Sequence, residues 1–173
     1  MIQSIALPEI VPLDRAHPLD VEQLLDIAFG ADRHLRTAYR IRAGMHPIGT
    51  LSLAAMDDAG RLIGSLQSWP IALTAPDGTQ TPLVLVGPVA IMPERQRGGL
   101  GRLMMARMLA RADADGADPL VLIGDPEYYG RFFGFTDAAT GGWDAPGPVE
   151  RRRLLARASD RPLPPAGMLG PRR

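Results

Sequence analysis

Leu85-Val86-Gly87-Pro88-Val89-Ala90-Ile91-Met92-Pro93-Glu94-Arg95-Gln96-Arg97-Gly98-Gly99-Leu100-Gly101-Arg102 is the stretch that decides the fold. From Pro82 to Met92 the chain is almost uninterruptedly apolar, the pattern of a strand buried on both faces, which predicts the centre of a sheet. Pro93 to Arg97 then turns the chain. A long helix is predicted from about Gly99 to Asp115, with Leu100, Leu103, Met104, Met108 and Ala112 as its packed side and Gly116 at its end. Met104, Met105 and Met108 read as core filler rather than a binding surface.

A glycine-rich entry into a helix directly after a strand suits an anion. Glycines let the backbone approach a ligand, and the unpaired N–H groups of the first helical turn, reinforced by the helix dipole, attract negative charge. Five arginines fall between positions 95 and 111 beside Glu94, enough to neutralise a second, terminal phosphate. The same residues also read as a glycine turn beside a solvated arginine face. Two familiar phosphate loops fit poorly: an ATP-type loop needs Gly-Lys-Ser/Thr after its glycines, and a dinucleotide fold needs Gly or Ala where Met104 stands.

Working outward, Ile2 to Leu7 is predicted as a short strand closed by Pro8 and Pro12. A helix is signalled from Pro18 through Val21, Leu24, Leu25, Ala28 and Phe29 to Gly30, and a second, more polar one from about Ala31 to Ala43. Leu51 to Met56 and Leu62 to Leu73 flank the turn residues Asp57-Asp58-Ala59-Gly60 and predict an antiparallel hairpin, with Pro70 marking an edge or a strand end. Downstream, Leu120 to Ile123 is a short buried strand, and Asp125 with Pro126 starts a further helix as N-cap and first helical residue. A strand, helix, strand order implies a parallel crossover. One more strand is predicted around Arg153 to Ala158. Residues 1–160 thus read as a single domain, and the Pro- and Arg-rich segment 161–173 as a poorly ordered tail.

With 173 residues, 46% hydrophobic and 22% charged, the chain has the size and composition of one globular domain. No apolar run reaches the roughly 18 residues of a membrane span, and no secretory signal is visible, so a soluble, cytoplasmic protein without membrane partners is expected. Cysteine is absent, which excludes disulfides, thiolate metal sites and a cysteine nucleophile. All 19 basic residues are arginine and none is lysine, which excludes a lysine Schiff base. His17, His34 and His46 are scattered, and no metal site is expected. The 19 acidic residues bring the net charge to zero, so no broad attraction to nucleic acid is expected and nothing opposes a homodimer. Trp69 and Trp143 are candidates to border a substrate cleft, Trp69 reading otherwise as packing at a strand end, and Arg151-Arg152-Arg153 reads as a solvated charge run.

Three segments together resemble the GNAT superfamily of N-acetyltransferases. Gln96-Arg97-Gly98-Gly99-Leu100-Gly101 is similar to the family's acetyl-CoA loop, Gln/Arg-x-x-Gly-x-Gly/Ala. Leu85 to Pro93 resembles its central strand. Gly124-Asp125-Pro126-Glu127-Tyr128-Tyr129-Gly130-Arg131-Phe132-Phe133-Gly134-Phe135 resembles a fingerprint of its YhbS-like branch. The resemblance implies an α/β (α+β) fold: a mixed, mostly antiparallel central sheet with a splayed parallel strand pair, flanked by helices. It implies acetyl-CoA as cofactor, with its pantetheine arm in the splay against backbone of Val89, Ala90 and Ile91, its pyrophosphate on the amides from Arg97 to Arg102, and Gly124, Asp125, Tyr128 and Phe132 lining the groove.

The same resemblance implies acetyl transfer to a primary amine of a small molecule or protein by direct attack on the thioester, with a tyrosine as general acid toward the departing thiolate. Tyr129 and Tyr128 are the candidates, Tyr129 preferred. The sequence departs from the pattern here, because Phe132-Phe133 carries one residue more than Arg-Phe-Gly-Phe and shifts the usual tyrosine position onto Gly130. No carboxylate lies between Pro82 and Met92 to act as base, and Glu94, Glu22, His34 and His46 are outlying candidates. An α-amine acceptor, with a pKa of about 7.7 to 8.0, would arrive partly neutral without one. A non-catalytic acyl-CoA-binding module remains the other reading of these residues.

Overall fold

The computed structural model describes residues 6–158 and 160–173. Eight strands form one sheet ordered β1 (Glu9–Pro12), β2 (Leu53–Met56), β3 (Leu62–Thr74), β4 (Gln80–Ile91), β5 (Leu120–Ile123) and β7 (Leu154–Arg157), with β8 (Ala166–Pro171) paired to β3 and to β6 (Gly142–Asp144). The hairpin predicted around Gly60 is present. β2 (Leu53–Met56) and β3 (Leu62–Thr74) are antiparallel, and β3 pairs antiparallel with β4 (Gln80–Ile91) along its length. β4 pairs parallel with β5 (Leu120–Ile123), after which β7 (Leu154–Arg157) returns antiparallel beside β5.

Three of the helices lie where periodicity and terminal residues put them. α1 (Pro18–Phe29) is capped by the His17 side chain, which accepts from Leu19 N–H, and stops at Gly30, whose φ of 87° suits only glycine. α3 (Leu100–Asp115) runs from Gly99, at φ 74°, to Gly116, at φ 61°. α4 (Pro126–Phe133) starts at Asp125, whose carboxylate accepts from Glu127 N–H at 3.2 Å.

Side-chain alternation splits the core between the two sheet faces. Val84, Val86, Leu120 and Leu122 pack on one face with Leu100, Met104, Met105, Met108 and Leu109 of α3. Leu83, Leu85 and Val121 pack on the other face with Ile41, Trp143 and Leu169, and Ala54 and Ala90 meet α1 there. Leu103, expected on the packed side of α3, is 42% exposed; the buried stripe follows the i, i+4, i+5 positions 100, 104, 105, 108, 109 and 112 and leaves 103 outside it.

Several expectations are corrected. The first strand is β1 (Glu9–Pro12), paired with β2. Residues 1–5 of the predicted Ile2 to Leu7 strand lie outside the described residues, and Ala6 and Leu7 are in no strand. The predicted helix from Ala31 to Ala43 is broken into a 3-10 turn, Ala31–Leu35, and a short α2, Thr37–Ile41. Its side chains are bound across the fold instead of along a helix. Arg33 reaches back to α1, and Thr37 Oγ1 donates to Pro148 O at 2.7 Å.

Pro70 is inside β3 rather than at its end. On the side away from β4, β3 pairs with β2 only through Leu66 and with β8 only from Ile71. Pro70 therefore falls where a single neighbouring strand is present, which is where a residue without an N–H is tolerated.

The poorly ordered tail is also overturned. Ala166–Pro171 forms β8, antiparallel to β3 and parallel to β6 (Gly142–Asp144). Leu169 is 1% exposed, and Arg172 donates to Ile71 O and Leu83 O at 3.2 and 2.7 Å and pairs with Asp118 at 3.0 Å. The free edge of β3 beyond Pro70 supplies the backbone partners that this segment cannot find locally.

Candidate active site

Strands β4 and β5 share only two register pairs, Val84 with Leu120 and Leu85 with Val121. Beyond them Leu122 and Ile123 pair with β7 alone, and Val86 to Ile91 with β3 alone. The two strands therefore part, and one side of the β4 backbone is left without a strand partner. A bulge sits at this point: Leu66 faces Val89 and Ser68 faces Val86, so Gly87 and Pro88 together oppose Gln67. Gly87, at φ 123°, turns its carbonyl to the Trp69 indole, which donates at 2.9 Å.

A cleft of about 750 Å³ opens in this splay. Leu85 to Val89 form one wall and Leu122 to Asp125 with Tyr129 the other; Arg33, Tyr39 and Arg42 close one end, and Pro148, Glu150 and Arg153 border it. Of the residues singled out from the sequence, Val89, Gly124, Asp125 and Tyr129 line the cleft. Ala90 turns its side chain away, into the core beneath α1, while Val89 and Ile91 pack toward α3.

The glycine loop lies at the end of β4 outside the cleft lining. Pro93–Gly98 forms a 3-10 turn, and no side chain among the described residues caps the α3 N-terminus at Gly99. A Cβ at Gly98 or Gly99 would meet nothing within 4 Å, and one at Gly101 only Ile91 Cγ1 at 3.7 Å. Backbone amides of the first turn are thus approachable. Gln96 Nε2 donates to Ile91 O at 3.4 Å, and Leu100 is buried in the core. Arg102 carries its guanidinium to 4.0 Å from the centroid of the Phe132 ring, which ties the loop to α4.

The two tyrosines differ in surroundings. Tyr128 stands edge-on to Phe132 and Phe133, with centroids 5.4 and 5.7 Å apart, and does not line the cleft. Tyr129 does, and its ring packs so closely on Gly124 that a Cβ there would sit 2.5 Å from Cε2. Burial pushes both phenols above the ordinary tyrosine value, with Tyr128 adding to the effect on Tyr129 and Arg102 opposing it on Tyr128. Both are therefore protonated at neutral pH.

Among the outlying base candidates, Glu94 and His46 are exposed, and His34 stands 4.9 Å edge-on to Tyr39. Glu22 is bonded to Arg33, which also donates to Asp26 at 2.9 Å and to the Tyr39 hydroxyl. Burial works to lower the Arg33 guanidinium, and these three bonds outweigh it and hold it above its ordinary value.

Sequence reading missed Arg33, Tyr39, Arg42 and Gln67. They surround a smaller cavity of about 210 Å³, with Glu22 and Trp69. No local pattern marks them, because Arg33 and Arg42 sit in a broken helical segment and Gln67 in the middle of a strand. Arg153, from the run read as solvated, borders the main cleft. Among the described residues there is no group of three or more potential ligands that could hold a metal ion, and no helix long and apolar enough to cross a membrane.

Residues 12–136 match the family model for an acetyltransferase (GNAT) domain. The chain belongs to the GNAT acetyltransferase family. Solved structures agree in fold. The GNAT family N-acetyltransferase YhbS from Escherichia coli, in complex with CoA, aligns over 96% of this chain and 89% of its own, with a TM-score of 0.71 and 24% identity. A GNAT family acetyltransferase from Brucella melitensis, in complex with acetyl-CoA, covers 93% of both chains with a TM-score of 0.64 and 25% identity. Eis1 from Mycobacterium abscessus covers 77% of this chain and 32% of its own, with a TM-score of 0.53 and 22% identity. No curated protein matches the chain in sequence.

Proposed function

We propose that this GNAT protein transfers an acetyl group from acetyl-CoA to a primary amine by direct attack of the amine on the thioester. The observation that carries the reading is the parting of β4 from β5 beside an uncapped, glycine-entered helix. A polar chain entering the splay would meet unpaired β4 backbone, and a diphosphate would meet open amides and a clustered positive charge. The residues present fit the cofactor. Backbone of Val89 to Ile91 would hold the pantetheine arm, and amides from Arg97 to Arg102 the pyrophosphate. The two CoA-bound relatives support the same assignment.

Bound acetyl-CoA supplies an activated acetyl thioester; the chain supplies position, an electrophilic backbone and a proton. An N–H of β4 near Val89, left unpaired by the splay, would draw electron density from the acetyl oxygen as the amine adds. Tyr129 Oη, kept protonated by burial, would donate its proton to the departing sulfur. Tyr128 would support the Tyr129 ring, which it meets edge-on at 5.0 Å. No carboxylate lies on β4 from Pro82 to Ile91, so the amine would lose its proton to water in the cleft. Nothing in this scheme requires a covalent enzyme intermediate.

Isothermal titration with acetyl-CoA tests the site, comparing the parent with a Gly99→Glu/Gly101→Glu variant shown to be folded by circular dichroism. Saturable binding in the parent, lost in the variant, is expected, followed by amine-dependent CoA release. No binding in the parent overturns the reading. Binding without turnover on any amine favours the non-catalytic acyl-CoA-binding module.

A further inference from the structure

Arg42 is buried, 6% exposed, on the wall between the two cavities. It contrasts with Arg33 nearby. Arg33 is saturated by Glu22, Asp26 and Tyr39, whereas among the described residues no carboxylate pairs with Arg42. Its protein acceptor is Gly87 O, at a long 3.5 Å. Tyr39 and Trp69 hold the guanidinium by ring contacts, with centroids 4.1 and 3.9 Å from Cζ. Stacking of this kind satisfies the faces of the plane, and apart from the long contact to Gly87 O and the neighbouring Tyr39 hydroxyl it leaves the N–H edge, a rigid fork of donors, open. Burial lowers the group to about 10, an effect Tyr39 partly opposes, so it is still charged at neutral pH.

Among the described residues no carboxylate contacts this desolvated cation; Glu22, on the same cavity, is bonded to Arg33 and acts on Arg42 only at a distance. Such a cation is costly unless a ligand brings a counter-charge to it. A second, independent sign points the same way. Gln67, also 6% exposed, lines the smaller cavity, and its buried Oε1 has no hydrogen-bond partner among the described residues. An unpaired fork donor and an unpaired acceptor around one cavity describe a site built for a small polar occupant with a negative group.

Resting on the acetyl transfer proposed above, we infer that the acceptor is a small amine carrying its own carboxylate, an amino acid, held by its carboxylate in the fork of Arg42. Planar bidentate pairing is the geometry a guanidinium offers a carboxylate. Arg42 also lines the main cleft, so an amine on the same small molecule is directed toward Val89 and Tyr129. Gln67 Oε1 would accept from a donor group of that amino acid other than its reacting amine.

The test is CoA release, followed with a thiol-reactive chromogen; the chain has no cysteine, so the protein itself gives no signal. Acetyl-CoA is supplied with the proteinogenic α-amino acids and, in parallel, with their α-amides, which keep the amine and remove the negative charge. At least one free acid should be preferred over its amide by about 30-fold or more in kcat/KM, as for loss of one partner of a buried charged pair. In Arg42→Gln that ratio should fall toward one, with Arg42→Lys intermediate because it keeps charge without the fork. A purely structural Arg42 would instead lower both arms together and leave the ratio unchanged, which overturns the inference. Amides used as well as acids, or neither arm turned over by protein that binds acetyl-CoA, overturns it too. Failure to bind acetyl-CoA at all is the separate failure of the acetyltransferase reading and takes this inference with it.

Discussion

Replacing Gly124 by Ala should displace the Tyr129 ring and slow the reaction without touching either the tyrosine or the glycine loop. The added Cβ would lie 2.5 Å from Cε2 and 2.7 Å from Cδ2 of Tyr129, and 3.1 Å from Cδ1 of Leu122. Carbon atoms at rest stand about 3.5 to 4.0 Å apart, so the ring must retreat by roughly 1 Å. The backbone at Gly124 is tied down, since its N–H donates to Arg153 O at 2.9 Å, and the ring is what gives. Overpacking of this size costs about 1 to 3 kcal/mol. For a chain of this length that lowers Tm by about 2 to 4 °C per kcal/mol.

Its effect on rate is larger. A misplacement of about 1 Å can cost about 100-fold, and loss of a general acid about 10² to 10⁴-fold. Steady-state kcat for CoA release is therefore expected to drop about 10- to 100-fold in Gly124→Ala and by about 100-fold or more in Tyr129→Phe. The double variant should be no slower than Tyr129→Phe alone, because both changes remove the same proton delivery. Losses that multiply in the double variant would refute the reasoning, as would parental kcat in a Gly124→Ala protein whose Tm has fallen as expected.

Leu169→Ala should cost about 2 to 5 kcal/mol, read as a lower Tm, because the side chain is 1% exposed against Ile71 and Leu73. Met168→Ala, at 46% exposure on the same strand, should stay within about 0.5 kcal/mol; equal, silent effects would mean that β8 is not docked. Hydrogen bonds from Arg157 at 2.9 and 3.0 Å hold the Asp113 carboxyl below its ordinary value. A depressed folded pKa contributes stability that is present above the unfolded value of about 3.9 and is lost as pH falls below it. The Asp113 side chain is 52% exposed, which limits the contribution to about 1 kcal/mol or less. Denaturant titrations at neutral pH and below pH 3 should show this increment in the parent and its absence in Arg157→Gln.

Much of the candidate site's framework was legible in the chain because its signals are local. The apolar run through Pro82 to Met92 marks the central strand by itself, since only a doubly buried strand needs such a run. Gly98, Gly99 and Gly101 mark the turn into α3 by the backbone freedom required there, and Asp125-Pro126 marks the start of α4 by capping chemistry alone. These residues carry the resemblance to the family. They also name the strand, loop and helix that border the proposed cofactor site.

What the chain could not reveal depends on pairings distant in sequence. Whether Arg42 is a solvated charge or a buried, stacked one is decided by Trp69, which approaches the end of α2 from β3. Whether residues 166–171 are a tail or a strand is decided by an unpaired edge of β3 almost a hundred residues away. Tyr129 and Tyr128 are neighbours that the sequence separates only by a preference for Tyr129, and the helix turns Tyr129 toward the cleft and Tyr128 toward Phe132. Local propensity and spacing set which elements form and how they are entered. Burial, and with it the charge state and availability of each polar group, is a property of what packs on it, and only the assembled tertiary structure determines that.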